Sequence, residues 1–180
     1  MLIPARDHRP LLPTAGILEA PVNPTRRHTA DSPAIELMTD FHREQPIVVA
    51  PERHIEPALK DMILEGVRAL LVADEAAVVG LITAGDILGP RPVQFLQNPL
   101  CRSSPCRHED ITVGDIMTPW AELEMLEFDW VRGRTCGDVV TAFSKTDATH
   151  LVVVEGRRPA PTVVRGLLSR TRLARQLALS

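Results

Sequence analysis

No stretch of this sequence approaches the ~18 apolar residues that a membrane-spanning helix needs, so a transmembrane segment is excluded as an organising element. An excess of positive charge is missing too. Lys and Arg number 20 against 23 Asp and Glu, for a net charge of -3, and no global field draws in nucleic acid. Arg157, Arg158, Arg165, Arg170, Arg172 and Arg175 cluster late, but against a negative total. Cysteine is scarce, at three residues. An odd count makes a poor disulfide framework and points to a reducing cytoplasm. Cys101 and Cys106 flank Arg-Ser-Ser-Pro, which fits no zinc spacing, and structural zinc needs four ligands. Cys136 sits at an apolar helix position and reads as a small buried hydrophobe. Gly-x-Ser-x-Gly, His-Glu-x-x-His and a phosphate-binding Walker loop are all absent, so no motif predicts an enzyme. Met1 to Ile3 is followed by Pro and charge, not the apolar stretch of a secretion signal.

What is present is a chain of 180 residues, 44% hydrophobic, long enough to bury a core as one domain or two small ones. Residues 1–33 hold six prolines without helical periodicity and read as an extended arm. Ala34 to Thr39 reads as a short entry helix. Ile47-Val48-Val49, bounded by prolines, reads as a short strand. Ile55, Ala58, Leu59, Met62 and Ile63 recur at helical spacing, with Gly66 as the stop. Ala69 to Ala73 and Ala77 to Ile82 read as adjacent strands joined at Asp74-Glu75, and a second helix starts near Thr83.

The stretch between Gly89 and Asp110 holds four prolines and reads as a linker (91–110), with one apolar stretch, Val93 to Leu96. The order then returns. Val113 to Thr118 echoes the entry helix and its Met-Thr. Leu126 to Val131 is the first-strand candidate. Thr135 opens a helix bearing Cys136, Val139, Val140 and Phe143, with Asp138 placed for a capping box. Leu151 to Val154 and Thr162 to Leu168 are the paired strands, and a last helix runs from Ser169. One offset aligns Met62 with Phe143 and Val72 with Val153, and five extra residues around 157–161 lengthen the second hairpin. The organisation is therefore an arm (1–33), a first repeat (34–90), a linker (91–110) and a second repeat (111–180). Each repeat is a β-α-β-β-α unit with a short entry helix, an α/β (α+β) fold used twice.

Met-Thr at each entry and Gly-h-h-[Ser/Thr]-x-x-Asp at the last strand–helix junction resemble the CBS domain, and the doubled order resembles a tandem CBS pair, or Bateman module. The resemblance covers residues 34–179 and leaves no segment for an attached enzyme or transporter domain. It implies two units packed as a pseudo-two-fold pair with clefts between them. It also implies a homodimer, and a regulatory role in which an adenosine-containing ligand (AMP, ADP, ATP, S-adenosylmethionine or NAD) signals to a downstream protein partner. No cofactor is required, and the setting is cytoplasmic.

The two copies differ at the junction. The first reads Gly80-Leu81-Ile82-Thr83-Ala84-Gly85-Asp86. There Asp86 can accept from both ribose hydroxyls, bonds worth ~1.5–3 kcal/mol each. Thr83 opens a helix whose free N–H groups favour phosphate. Gly85 leaves room for close approach. The family's adenine positions fall on Val48, Ala69, Leu70 and Leu71. The same Thr-x-x-Asp is equally a helix start in which both side chains satisfy backbone donors. The second copy reads Gly166-Leu167-Leu168-Ser169-Arg170-Thr171-Arg172. Arg172 offers no acceptor, so that cleft is either empty or used differently. Ser169, Arg170, Arg172 and His150 are its candidate contacts, the last three facing phosphate or serving as solvated surface charge. Arg53 and Arg68 are weaker phosphate candidates. Phe128, Trp130 and Trp120 read as core and hinge packing before a partner patch. The alternative to ligand sensing is a CBS-fold dimerisation scaffold that has lost its ligand.

Overall fold

The apolar spacing at Ile55, Ala58 and Met62 folds as helix α1 (Ile55–Leu64), with those three side chains buried. Its end is set by Gly66 at φ 67°. Val67 N–H donates to Met62 O and Gly66 N–H to Ile63 O, the paired bonds by which a left-handed glycine closes a helix. Ile63, expected on the buried stripe, is 70% exposed. It lies one residue beyond Met62, about 100° round the helix, which carries it off the core-facing side. The computed structural model describes residues 28–75, 77–99, 106–156 and 162–178. Most of the proline-rich arm, Cys101, and the 157–161 insertion with Arg157 and Arg158 lie outside the described residues.

Two four-stranded sheets form, each in its own compact unit. The first unit comprises residues 46–123. Its strands are β2 (Val48–Val49), β3 (Ala69–Asp74), β4 (Ala77–Thr83) and β5 (Thr118–Pro119), hydrogen-bonded in that order. β2 and β3 are parallel, with α1 as their crossover, and the other pairings are antiparallel. α2 (Ala84–Leu88), α3 (Arg91–Leu96) and α4 (Val113–Ile116) complete it. One sheet face and α1 enclose Ile55, Met62, Leu70, Val72 and Ile82, joined by Ile111, Val113 and Ile116.

The second unit combines residues 28–45 with 124–178. Here β1 (Thr39–Asp40), β8 (Val163–Ser169), β7 (His150–Glu155) and β6 (Met125–Glu127) are neighbours in that order. β6 and β7 are parallel, linked through α5 (Phe128–Arg132) and α6 (Cys136–Phe143), and α7 (Arg170–Ala178) follows β8. Val131, Cys136, Val139, Phe143, Leu151, Val153 and Leu168 form its core with Ala34 and Leu37. The hairpins shift register at matching points, between Val72 and Ala73 and between Val153 and Val154.

The compact units are offset from the sequence repeats by one segment. Met38-Thr39, the entry of the first repeat, pairs with the second repeat's hairpin: Thr39 lies opposite Leu167 and Asp40 opposite Gly166. Met117-Thr118 does the reciprocal, with Thr118 opposite Leu81 and Pro119 opposite Gly80. This crossing explains the glycine of the repeated motif. A Cβ on Gly80 would lie 2.6 Å from Thr118 O and 2.8 Å from the Met117 sulfur. On Gly166 it would meet Thr39 O and the Met38 side chain.

Three local expectations are corrected. The first entry segment is a single 3₁₀ turn, Ala34–Leu37, that passes directly into β1. The strand expected over Leu126 to Val131 stops at Glu127, and Phe128 to Arg132 is helical, which buries Val131 and half-buries Phe128 and Trp130. The linker contains α3, with Pro90 at its N-cap and Pro92 in its first turn, positions where a missing N–H and a fixed φ do no harm. The tail of the arm is also docked, because Cys136 N–H donates to Ser32 O and Gly137 N–H to Ala30 O.

Candidate functional site

β4 ends and α2 begins at Thr83, and three groups converge there. Thr83 Oγ1 accepts from the Asp86 N–H at 3.2 Å. Asp86 Oδ2 accepts from the Thr83 N–H at 2.8 Å and from the Thr83 hydroxyl at 2.7 Å. This reciprocal capping box occupies one carboxylate oxygen. The other, Oδ1, stands 3.1 Å from Arg91 Nε. Arg91 Nη1 in turn donates to Ile116 O at 2.7 Å. The Asp86 side chain is 14% exposed and that of Arg91 39%.

Strand register decides which candidates share a surface. Val48 lies opposite Leu71, and Ala69 opposite Thr83, so these four side chains lie on one sheet face, because side chains alternate along a strand. Leu70 lies opposite Ile82 and both belong to the core on the other face. Val48 is 43% exposed, and Leu71 is buried. A Cβ on Gly85 would meet nothing closer than Thr83 Oγ1 at 3.5 Å, so packing does not demand glycine there. α2 is only five residues long, and so short a helix contributes little dipole to a phosphate.

The equivalent junction in the second unit is built differently. Ser169 Oγ accepts from the Arg172 N–H at 3.4 Å, with no carboxylate to answer. Arg172 Nη1 donates to Thr39 Oγ1 at 3.0 Å. Arg170 is turned toward the end of α6: Nη2 donates to Phe143 O at 2.8 Å, Thr146 O at 2.6 Å and Ala148 O at 3.0 Å. Nε reaches Ala148 O at 3.1 Å, and the guanidinium lies 5.1 Å over the Phe143 ring. A cation on the last carbonyls of a helix satisfies acceptors that have no partner within it. His150 starts β7 opposite Ser169, with Nδ1 3.0 Å from Thr149 Oγ1. In the first unit, Arg53 holds Asp61 through Nε and Nη2 at 2.7 and 3.0 Å. Arg68 contributes its carbonyl to the Ala84 N–H.

Two further arginines were not legible as site residues. Arg91 stands five residues after Asp86, across the Gly89-Pro90 break, so no helical spacing links them. Arg165 is almost fully buried on β8, bonded through Nη1 to Asp40 Oδ1, 3.2 Å from Glu155 Oε2, and 4.5 Å over Phe128. Burial lowers its pKa. Alternation along β8 was its only signal. Phe128 and Trp130 pack against the second core.

Cys136 is free and buried, and its thiol pKa is raised, chiefly by burial and then by the Glu36 charge. The expectation of reduced thiols does not extend to Cys106, which is disulfide-bonded. Among the described residues, no helix is long and apolar enough to cross a membrane. Nor, among them, do three or more His, Cys, Asp or Glu side chains gather as metal ligands.

Residues 35–89 match the family model of the CBS domain. No curated protein matches the sequence. Among solved structures, that of CBSX2 in complex with AMP is similar at a TM-score of 0.55 and 21% identity, over 82% of this chain and 97% of that one. The CBS-pair protein CBSX2 from Arabidopsis thaliana gives 0.51 at 22% identity, over 84% and 96%. A CBS-domain containing protein from Agrobacterium tumefaciens gives 0.55 at 15% identity, over 82% and 94%.

Proposed function

We propose, from the premise that this chain is a CBS-domain protein, matched to that family over residues 35–89 and folded as CBS-pair structures are, that it is a non-enzymatic regulatory module for an adenosine-containing ligand. The observation that carries the reading is the shared face of Val48, Ala69, Leu71 and Thr83, beside Asp86. An adenine would lie against the apolar side chains while the ribose diol donates to the carboxylate. AMP bound to a protein of the same fold supports the ligand class. The finer choice among AMP, ADP, ATP, S-adenosylmethionine and NAD, and assembly as a homodimer, belong to the same proposal. Signalling to a partner protein would follow by population shift, to the extent that the ligand favours one conformation over another.

Titration calorimetry of the five ligands into wild type and Asp86→Ala tests this. The expected outcome is binding near one ligand per chain, weakened about tenfold or more in the variant, as loss of one charge-assisted hydrogen bond predicts. One observation favours a second reading, a dimerisation scaffold without a ligand: both Asp86 oxygens already have partners. No heat with any of the five, from folded protein, would select it.

A further inference from the structure

The two oxygens of Asp86 do different work. Oδ2 holds both Thr83 donors, a local cap that closes the first turn of α2. Oδ1 faces the Arg91 guanidinium at 3.1 Å. A ribose diol needs two acceptor sites, and Oδ1 is where a ligand meets a competitor that belongs to the protein. We infer that Arg91 is an internal competitor for Asp86 Oδ1, and that its displacement makes the site selective for nucleosides carrying an anionic phosphate. This inference rests on the proposed ligand reading and deepens it.

The selectivity follows from charge balance. A guanidinium stays protonated at any ordinary pH. Displaced from Asp86, Arg91 retains, among the described residues, only a neutral acceptor, Ile116 O at 2.7 Å. A neutral nucleoside takes the carboxylate and returns no counter-charge, so it exchanges an ion pair for an unpaired arginine at 39% exposure. A nucleotide returns a phosphate from the same ribose that Asp86 holds. Phosphate oxygens match the planar fork of arginine in two parallel bonds, so one ion pair replaces another. S-adenosylmethionine presents a sulfonium in place of that phosphate and repels the freed guanidinium. Arg91 thus supplies the cation that the short helix α2 does not, and it does so from the linker, outside the repeated motif.

The test is calorimetric titration of adenosine, AMP and S-adenosylmethionine into the full chain and into Arg91→Met. Wild type should bind AMP more tightly than adenosine. Arg91→Met should tighten adenosine by roughly fivefold, the worth of a partly screened ion pair, and weaken AMP, so that the preference collapses. Arg91→Gln, which keeps a donor for Ile116 O, carries the same test if Arg91→Met does not fold. An AMP-to-adenosine ratio unchanged by the substitution would overturn the inference and leave the ligand reading standing. If wild type binds none of these three, nor ADP, ATP or NAD, the ligand reading itself fails.

Discussion

At the residue scale, the Thr-x-x-Asp motif recurs with one geometry and several consequences. Thr83 and Asp86, and Thr135 and Asp138, each close a reciprocal cap, while Asp115 accepts from both the N–H and the hydroxyl of Thr112. The Asp138 carboxyl is held below the usual carboxylate range, chiefly by the Thr135 N–H and also by the Thr135 hydroxyl and the Arg134 charge, against a desolvation that acts the other way. Its folded pKa is depressed, so its stabilisation is present above the unfolded value, near 3.9, and is lost as pH falls through the folded one. Asp138→Asn keeps an acceptor but not the titration. Its urea midpoint should therefore fall less than that of wild type as pH is lowered from about 5 to 3. Gly66 gives a purely conformational prediction. Its φ is 67°, and a methyl group in place of its hydrogen would meet nothing within 4 Å. Gly66→Ala should therefore cost about 1–2 kcal/mol, read from chemical denaturation. A near-zero cost would mean that the turn after α1 relaxes.

At the element scale, glycine and arginine each join parts distant in sequence. Gly80 lets Thr118 O approach β4 to 2.6 Å of where a Cβ would stand, with the Met117 sulfur beside it. Gly80→Ala must push β5 away, at a cost of about 1–3 kcal/mol, with amide hydrogen exchange rising first at Thr118. Arg170 bonds three carbonyls at and beyond the end of α6. Arg170→Ala leaves those acceptors short of donors and should lower stability by about 2 kcal/mol, whereas a solvated arginine would cost almost nothing. Both roles were hidden in the sequence for one reason. A motif shows which residue types recur, while these glycine and arginine contacts are with segments that sequence spacing does not bring near. Arg91 is the same case at the site, since the helical pattern is interrupted at Gly89-Pro90, between it and its partner Asp86.

At the scale of the whole molecule, the unit of sequence and the unit of packing differ. The sequence reads as a repeat over residues 34–90, but the first sheet includes β5 and its core includes Ile111, Val113 and Ile116. A fragment of residues 46–123 should therefore show cooperative urea unfolding by circular dichroism, and a fragment of residues 34–90 should not. Equal behaviour of the two would mean that β5 and α4 add little to the first core.

Period and composition determined much of this protein unaided. The 3.6-residue spacing of Ile55, Ala58 and Met62, the apolar runs at Leu70 and Leu151, and Gly66 as the stop of the helix were all readable, because each depends on neighbours within a few residues. So was the difference between Asp86 and Arg172, which is a matter of which atoms a side chain carries. Tertiary structure decided the rest. It turned Leu70 into the core and Leu71 to the other face, made Phe128 to Arg132 a helix, and crossed each Met-Thr entry onto the other repeat's hairpin. It also set Arg91 against Asp86. These outcomes depend on strand register and on contacts between residues far apart in the chain, whose closure is rewarded only once the surrounding core has formed.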